Sequence, residues 1–570
     1  MFTRHFAHWP PGKPRTLEIP RETVVNNLEA VAARAPQSAA IDYYGSRMTY
    51  AALKGEVEAL AGFLQQRCGV RKGDRVLLYL QNSPQFIIGY YAILRADAVV
   101  VPVNPMNRTE ELRHYVSDSD AAVAIAGQDV VTQLAPLKIK ILVATYSDYL
   151  TQSTDLPVPD FVKAKGEDSG WKAAMAAGLS PSPHAAGPED LAVMPYTSGT
   201  TGKPKGCMHT HSSLQATTVP YLQWRGADDH SVVLAALPMF HVTGMQTGMN
   251  APIYLGATIV VLSRWDRDCA GLQIQRAKVT NWSAITTMMV DFLSNPRFKE
   301  YDLSSLKVLG GGGAAMPEAL AKKLEDEIGL AFVEGYGLSE TMAPTHINPP
   351  HRPKRQCGGI PFYNTDARIL DVDTKKELDV GQVGEIVVRG PQVFRGYWKQ
   401  PEATAQAFVE HDGERFFRTG DLGYYDEEGY FFITDRLKRM INAAGFKVWP
   451  AEVEAMLYAH PDIQEACVIG APDGYRGETV KAVVVLRPDL FRDTEAFAGD
   501  VAYPGNSSVN FSSAGATVAN GVICPMSGGK IKVRTGPAAF TSSSWPAAGT
   551  HISTQSFRFT MTGLDFQLVF

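Results

Sequence analysis

The stretch Arg75 to Val101, RVLLYLQNSPQFIIGYYAILRADAVVV, decides the fold class of this chain. Its first six residues form an apolar run that is typical of a buried strand. Ser83 and Pro84 follow as a helix N-cap and a proline in the first turn. Apolar residues then share one helical face, and three valines form a second strand: Phe86, Ile87, Tyr90, Leu94 and 99–101. A strand, a helix and a strand in this order imply a right-handed crossover into a parallel sheet, and hence an α/β fold.

Apolar runs of the same kind recur farther along the chain, at 121–126, 232–236, 258–262 and 307–309. They predict a large, multi-layer N-terminal domain with parallel or mixed sheets. From Gly384 the pattern changes to short strands, GEIVVRG, FFRTGD and YFFITD, which predict a small β-barrel-like subdomain. A helical segment at 450–460 and the strands after it predict a small α+β domain that is incomplete. The expected boundaries are 1–434, 435–495 and 496–570, and the last segment is a β-prone tail rich in Ser, Thr and Gly.

Composition narrows the class of protein. The length of 570 residues exceeds a single compact core, and the net charge of -5 indicates no nucleic-acid footprint. The six cysteines form no C-x-x-C pair, so neither a zinc site nor a disulfide framework is indicated. The most apolar stretch is interrupted by polar residues and does not supply about 20 apolar positions for a transmembrane helix. We expect a cytoplasmic protein, for which peripheral membrane contact stays compatible with the sequence.

The segment with the strongest chemical signal is Tyr196 to Gly206, YTSGTTGKPKG. Its small residues let the backbone approach a polyphosphate, and successive N–H groups can form an anion nest. A solvated Gly/Lys hairpin is the alternative interpretation. The segment is not the common P-loop, G-x-x-x-x-G-K-[ST]. Only two residues separate Gly199 from Gly202 here, and Pro204 follows the lysine. The candidate phosphate-binding residues are Thr197, Ser198, Gly199, Thr200, Thr201, Gly202, Lys203 and Lys205.

This segment resembles the phosphate loop of the adenylate-forming (AMP-binding) superfamily of acyl-CoA synthetases, luciferases and peptide-synthetase adenylation domains. Further segments are similar to the other motifs of that superfamily and follow in the same order. They are LPMFH at 237–241, GGGGA at 310–314, YGLSET at 336–341, TGD at 419–421, DRLK at 435–438 and GFKVWP at 445–450. The resemblance runs from about residue 20 to about residue 490.

The resemblance implies a role for each motif. It places Tyr336 against adenine, Asp421 on the ribose hydroxyls, and Arg436 on ribose or phosphate. It gives His241 a position beside the substrate carboxylate and makes Lys438 the hinge between domains. Further nucleotide contacts are implied for Gly312, Ala314, Gly337 and Thr341. Glu340 and Thr200 are the implied Mg²⁺ ligands, and Thr200, Lys205, His241 and Glu340 are the implied catalytic residues. Each role has a structural alternative. Asp421 is otherwise a surface-turn aspartate, Glu340 a helix-capping acid and Tyr336 a core tyrosine. Arg436 is otherwise part of a surface salt bridge, and His241 is a core histidine.

The implied reaction joins a carboxylic acid to ATP and releases pyrophosphate, with coenzyme A then taking the acyl group. ATP, Mg²⁺ and coenzyme A are therefore the expected cofactors and substrates. The segments LQNSPQF and DRLKRMINAAGFKVWPAEVE look most like bacterial medium- or long-chain fatty acyl-CoA ligases, with aryl-acid ligases as the alternative. Delivery to a carrier protein or an amine is a second alternative. The apolar segment from Trp282 to Phe292 is either an acid pocket or ordinary core.

The end of the chain departs from the family pattern. Relatives carry a catalytic lysine about ninety residues past the hinge, in a phrase such as P-K-x-x-x-G-K-[IL]. Here the segment from Pro525 to Ile531 matches that phrase only in part, and we interpret the match as a coincidence. Lys530, which lies in this segment, is the candidate for the catalytic lysine. The sequence therefore predicts weak adenylation. A chimera that binds nucleotide or acid without turnover is the alternative to an enzyme.

Overall fold

The computed structural model describes residues 1–166, 170–197, 203–313, 315–443, 446–448, 450–458, 463–473 and 477–486, and short strands between 510 and 569. The chain divides into two compact units. The first comprises 1–419 and 424–432, and the second comprises 420–423 and 433–570.

The helices of the first unit are mostly short, and some begin with a side-chain cap, among them α3 (Pro84–Arg95). The best example is α3, where Ser83 Oγ accepts a hydrogen bond from Phe86 N at 3.1 Å and Pro84 occupies the first turn. Every residue of α3 is buried, as expected for a helix that is apolar all round. The described helices are α1 (Val24–Arg34), α2 (Tyr50–Phe63), α3 (Pro84–Arg95), α4 (Thr109–Ser119), α5 (Asp160–Lys163), α6 (Gly170–Ala176), α7 (His211–Arg225), α8 (Val242–Met245), α9 (Ala251–Leu255), α10 (Arg267–Ala277), α11 (Thr286–Leu293), α12 (Glu318–Ile328) and α13 (Pro401–Gln406).

The strands from residue 39 to residue 436 alternate with the helices or follow them, and residues 420–423 and 433–436 of the last two strands belong to the second unit. They are β1 (Ala39–Tyr43), β2 (Ser46–Thr49), β3 (Arg75–Tyr79), β4 (Val99–Pro102), β5 (Val123–Gly127), β6 (Lys140–Ala144), β7 (Leu191–Val193), β8 (Tyr196–Thr197), β9 (Lys205–Gly206), β10 (His209–Thr210), β11 (Val232–Ala235), β12 (Thr258–Val261), β13 (Asn281–Ala284), β14 (Val308–Gly312), β15 (Phe332–Tyr336), β16 (His346–Ile347), β17 (Ile360–Pro361), β18 (Asp366–Leu370), β19 (Gly384–Arg389), β20 (Phe408–His411), β21 (Glu414–Tyr425) and β22 (Phe431–Arg436).

Two large sheets form the layers of the first unit. One has the strand order β17-β16-β15-β14-β13-β11-β12-β1-β2, and the other has the order β10-β7-β4-β3-β5-β6. In the second sheet β3 and β4 pair in parallel, with Leu77 opposite Val101, which confirms the β-α-β unit predicted from 75–101. One apolar core includes side chains of α1, α2 and α3 together with strand residues of both sheets. The predicted multi-layer α/β class is confirmed.

A smaller antiparallel sheet follows, with the order β18-β19-β21-β20 and β22 on β21. Its apolar face includes Ile369, Ile386 and Phe417 and encloses a separate core with Phe2. This half-barrel is the predicted small β subdomain.

The second unit begins with a short antiparallel pair and a helix: β23 (Ile441–Ala443), β24 (Phe446–Val448) and α14 (Pro450–Tyr458). A long hairpin follows, formed by β25 (Ile463–Asp473) and β26 (Gly477–Leu486). The tail contributes β27 (Asn510–Ser513), β28 (Val522–Ile523), β29 (Met526–Ser527), β30 (Lys530–Ile531), β31 (Arg534–Thr535), β32 (Ser556–Met561) and β33 (Leu564–Val569). The last of these pairs in parallel with β26.

Within the described part of the chain, no helix combines the length and apolarity that crossing a membrane requires.

Candidate active site

A short antiparallel pair of strands flanks the segment predicted to bind phosphate. In this pair Tyr196 of β8 lies opposite Gly206 of β9, and Thr197 lies opposite Lys205. Lys203 is exposed and Lys205 is half-buried. The residues between the two strands, Ser198, Gly199, Thr200, Thr201 and Gly202, lie outside the described residues, so their predicted roles stay predictions.

Lys205 and Glu340 both contact the side chain of Tyr397. The Lys205 Nζ lies 5.0 Å from the ring centre of Tyr397, within the range of a cation–π contact. The Tyr397 hydroxyl donates to Glu340 Oε1 at 2.9 Å. The backbone supports this arrangement, because Phe394 N donates to Glu340 O at 2.8 Å and Cys207 forms a bridge with Tyr397. A cationic group from the phosphate segment and a carboxylate therefore share one tyrosine as a neighbour.

The glycine-rich segment lies at the carboxyl ends of two parallel strands. Gly312 ends β14 and pairs with Gly335 of β15, and a Cβ on Gly312 would lie 2.3 Å from the Gly335 carbonyl oxygen. A side chain there would push the strands apart, which explains the glycine. Gly313 follows with a φ of +94°, where glycine is favoured. Ala314 lies outside the described residues.

Glu334 holds the chain that follows the glycine-rich segment. Its carboxylate accepts hydrogen bonds from the backbone N–H of Met316 at 3.0 Å and of Gln356 at 2.8 Å. Burial raises the pKa of this carboxyl, while the backbone donors lower it. Glu334 therefore acts as a positioning group for the region beside Gly312.

Tyr336 ends β15 with its side chain only partly buried. Its ring centre lies 5.7 Å from that of His346, which is opposite it in the antiparallel pair β15–β16. Burial lowers the pKa of His346 to about 3, so its ring is neutral at pH 7. The role predicted for Tyr336, stacking on adenine, stays a prediction. Gly337 follows it, and the buried Thr341 accepts from Leu338 N through Oγ1 at 3.0 Å.

His241 is the N-cap of α8. Its Nδ1 accepts from Thr243 N at 3.3 Å, which leaves the proton of the neutral ring on Nε2. Surrounding protein atoms lower its pKa by removing hydration, although part of the ring stays exposed. A neutral imidazole with an N–H donor can accompany a carboxylate, which is the role predicted for it.

The apolar segment after Trp282 divides between core and surface. Trp282, Met289 and Phe292 are fully buried and pack in the main core, so they correspond to the ordinary-core interpretation. Ile285 and Val290 are exposed.

His209 supports the turn that carries Glu340. It is fully buried in β10, and its Nε2 lies 2.8 Å from the Ser339 carbonyl oxygen, which requires the proton on Nε2. Its Nδ1 lies 3.2 Å from Ser213 Oγ. Burial lowers its pKa to about 4.

The buried His209 predicts an acid-sensitive fold. Because the pKa of His209 falls from about 6.5 in the unfolded chain to about 4 when folded, the unfolded chain binds more protons between these values. The contribution of His209 to the free energy of unfolding is therefore fully present above pH 6.5 and is lost as pH falls toward 4. The loss from this residue is about 2 kcal/mol at pH 5. In urea unfolding followed at pH 7 and pH 5, His209→Gln should lose less stability between the two pH values than the wild type. An equal loss in both proteins would contradict the assignment.

In the second unit, Asp421 and Arg436 form an ion pair. Arg436 Nε lies 3.0 Å from Asp421 Oδ1, and the side chains are 58% and 4% exposed, respectively. The structure thus pairs Asp421, predicted from the resemblance to bind ribose, with Arg436, predicted to bind ribose or phosphate. Lys438 lies in the turn Leu437–Arg439, and Lys530 lies in β30, opposite Ser527. The side chains of both lysines lie outside the described residues, so the hinge and the catalytic lysine stay predictions.

Three contributing residues were missed by sequence reasoning: Glu334, Tyr397 and His209 as a support. Glu334 is two residues before Tyr336, and its position in an otherwise apolar strand is a signal that could have marked it. Tyr397 lies outside every motif and is 57 residues from its partner Glu340, so no local pattern identifies it.

Comparisons with known proteins identify the family of the chain. The AMP-binding enzyme family matches residues 28–398, and the AMP-binding enzyme C-terminal domain matches residues 452–503. A long-chain-fatty-acid–CoA ligase of Bacillus subtilis is 38% identical over 511 residues, which cover 86% of this chain and 90% of the relative. A feruloyl-CoA synthase of an Amycolatopsis species is 35% identical over 452 residues, 79% of this chain and 86% of the relative.

A solved structure has the same fold. ATP-bound MatB from Rhodopseudomonas palustris superposes with a TM-score of 0.71 and 29% identity, covering 81% of this chain and 89% of that one. The family match spans more than half of the chain and includes the strand pair β8–β9, Glu340 and Tyr397. The chain belongs to the AMP-binding enzyme family.

Proposed function

We propose that this protein is an AMP-forming acyl-CoA synthetase, an acid–thiol ligase that activates a carboxylic acid with ATP and transfers the acyl group to coenzyme A. The observation that carries the proposal is the arrangement of Lys205, Tyr397 and Glu340. In this arrangement a cation from the phosphate segment and a carboxylate contact the same tyrosine, which supports a role for both groups in binding the magnesium–nucleotide complex. Family membership supplies the reaction class.

The residues present fit Mg²⁺ and ATP. Glu340 offers a carboxylate oxygen, the donor that a hard cation prefers, and Thr200 is the second proposed ligand. Mg²⁺ neutralises phosphate charge when bound. Tyr336 would stack on adenine, Asp421 would accept from the ribose hydroxyls, and Gly312, Gly337 and Thr341 would contact the nucleotide.

We propose that the chain's own groups orient the reacting atoms. A substrate carboxylate oxygen attacks the α-phosphorus of ATP, the bond to the β-phosphate oxygen breaks, and pyrophosphate leaves. Lys205 would stabilise charge on the phosphate oxygens, and His241 would donate Nε2–H near the carboxylate. These fixed donors act mainly through positioning and electrostatics.

The proposed substrate is a medium- or long-chain fatty acid, supported by the relative from Bacillus subtilis. An aryl acid is the second candidate, supported by the relative named feruloyl-CoA synthase. We place the reaction in the cytoplasm, where ATP and coenzyme A are both supplied.

Two measurements on the full chain test the function. The first is acid-dependent exchange of pyrophosphate into ATP over fatty acids of C4 to C18 and over benzoate and cinnamate derivatives. The second is thioester formation with free coenzyme A. Exchange with thioester formation supports the ligase, and exchange without thioester indicates delivery to another acceptor. If ATP binds but no acid supports exchange, the proposed enzymatic activity is wrong. That result would favour a chimera that binds nucleotide or acid without turnover.

The substitution Lys530→Ala tests whether this lysine is the catalytic cation of the family. Because its sequence context only partly matches the family phrase, we expect Lys530→Ala to change pyrophosphate exchange by less than about twofold. Loss of a true preorganised cationic donor would cost about 10²–10³-fold in rate. Lys532→Ala is the matched control two residues away. A drop of that size for Lys530→Ala alone would show that Lys530 is the catalytic lysine.

A further inference from the structure

The turn that carries Glu340 has a strained backbone. Glu340 lies in the short helical turn Ser339–Thr341, and the two residues that follow, Met342 and Ala343, have φ values of +50° and +37°. Left-handed backbone is unfavourable for residues other than glycine. Pro344 restricts Ala343 further, because a residue before proline has fewer allowed conformations. The surrounding structure must therefore hold this turn in place.

One carbonyl oxygen closes the turn. The Ser339 carbonyl oxygen accepts from Met342 N at 3.3 Å, a bond that ends on the first left-handed residue. The same oxygen accepts from His209 Nε2 at 2.8 Å, and His209 is 130 residues away in sequence. A carbonyl oxygen has two lone pairs, so both bonds can form together. His209 therefore fixes the direction of the carbonyl group on which the turn closes.

His209 itself has a rigid base. Its side chain is fully buried, and its strand β10 pairs with β7, where His209 lies opposite Val193. The second ring nitrogen, Nδ1, lies 3.2 Å from Ser213 Oγ in the first turn of α7. The backbone of Ser213 is held as well, because Ser213 N donates to Thr210 Oγ1 at 3.2 Å. With both nitrogens in contact and no exposed surface, the ring is held in one orientation.

Other residues hold Glu340 directly. Phe394 N donates to the Glu340 carbonyl oxygen at 2.8 Å, and the Tyr397 hydroxyl donates to its carboxylate at 2.9 Å. The ring centre of Phe394 lies 6.3 Å from that of His209. These two bonds act on Glu340, whereas the bond from His209 acts on the residue before it. The backbone that carries the carboxylate is thus fixed by two separate parts of the chain.

We propose that His209 is a positioning residue for the binding of Mg²⁺, because its hydrogen bond to the Ser339 carbonyl oxygen keeps the strained turn 338–343 in the conformation that the structure shows for Glu340. Removing a group that orients a metal ligand typically lowers metal affinity by about 10- to 100-fold. A turn that is held before the ligand arrives also loses less entropy on binding. The inference rests on the proposed function, because it takes Glu340 as a ligand of Mg²⁺.

The test measures how much Mg²⁺ strengthens nucleotide binding by the full chain. The dissociation constant of α,β-methylene ATP is determined by calorimetry at saturating Mg²⁺ and in EDTA, without acid or coenzyme A. His209→Leu should reduce the gain from Mg²⁺ by about tenfold and change the affinity in EDTA by less than about twofold. His209→Gln keeps an amide N–H near the position of Nε2 and should recover most of the gain. His209→Asn, whose shorter amide does not reach Ser339, should behave like His209→Leu.

The matched control is His211→Leu. His211 is almost fully buried two residues farther along the chain, but its Nδ1 accepts from Val24 N of α1 at 3.2 Å. This variant also loses a buried hydrogen bond, and it should keep the gain from Mg²⁺ within about twofold of the wild type. If His209→Leu fails to fold, the comparison of His209→Gln with His209→Asn decides. Equal weakening in Mg²⁺ and in EDTA, the same effect from His211→Leu, or a full gain in His209→Asn would overturn the inference.

Hydrogen exchange of the protein without nucleotide or metal provides a measurement that does not depend on activity. The amides of Thr341, Met342 and Ala343 donate to carbonyl oxygens within the turn. They should exchange about tenfold faster in His209→Leu and His209→Asn than in the wild type, but not in His211→Leu. Unchanged exchange would overturn the positioning role even in an active enzyme. A wild type that shows the gain from Mg²⁺, with the expected changes in the variants, but forms no acyl-CoA would overturn only the proposed function.

Discussion

Glu340→Gln is expected to lower kcat for acyl-CoA formation by about 10²- to 10³-fold, the size found for loss of a preorganised electrostatic group. In the wild type the Tyr397 hydroxyl donates to Glu340 Oε1 at 2.9 Å. The substitution keeps the size of the side chain and an oxygen that can accept this hydrogen bond. It removes the negative charge that a magnesium–nucleotide complex needs. Steady-state rates at saturating ATP, with Mg²⁺ varied from low to high concentration, measure the change.

Two variants make this result specific. Glu427→Gln removes a charge at an exposed position and should leave kcat unchanged. Tyr397→Phe should have an intermediate effect, because it leaves the carboxylate in place but removes the group that orients it. A Glu340→Gln protein with full activity and an unchanged Mg²⁺ requirement would contradict the metal role.

Asp421→Ala is expected to raise the dissociation constant for ATP by about 100-fold. Two hydrogen bonds from ribose hydroxyls to a carboxylate contribute about 1.5–3 kcal/mol each, and not all of this is lost when water replaces the side chain. The Asp421 carboxylate is almost fully buried and held by Arg436 Nε at 3.0 Å, so its position is fixed before the nucleotide binds. Equilibrium binding of ATP, and of ATP lacking the ribose hydroxyls, measures the effect.

The ion pair itself is the competing explanation for any effect at Asp421. If the pair is only structural, Asp421→Ala and Arg436→Ala should lower the unfolding temperature equally and leave the preference for ribose over the dideoxy nucleotide intact. If Asp421 binds ribose, Asp421→Ala alone should abolish that preference. Retention of the preference in Asp421→Ala would refute the ribose role.

The sequence by itself determined the parts of this protein that depend on local spacing. The run of apolar residues, N-cap and helical face over 75–101 predicted β3, α3 and β4, because strand and helix periods of two and 3.6 are visible in a single window. The ordered motifs also marked Gly312, Tyr336, Glu340 and Asp421 as candidates through their resemblance to a known family, and the roles of these residues stay predictions.

Only the tertiary structure decided which groups meet. Tyr397 contacts both Lys205 and Glu340, and α4 holds Tyr196 and Pro204, through contacts between residues 57 to 192 positions apart. Tyrosines, histidines and aspartates are common on any helix or loop. The type of residue therefore does not predict which distant residue it contacts. The contact arises when separate strands and helices pack around a shared core, which brings together side chains that have no common sequence period.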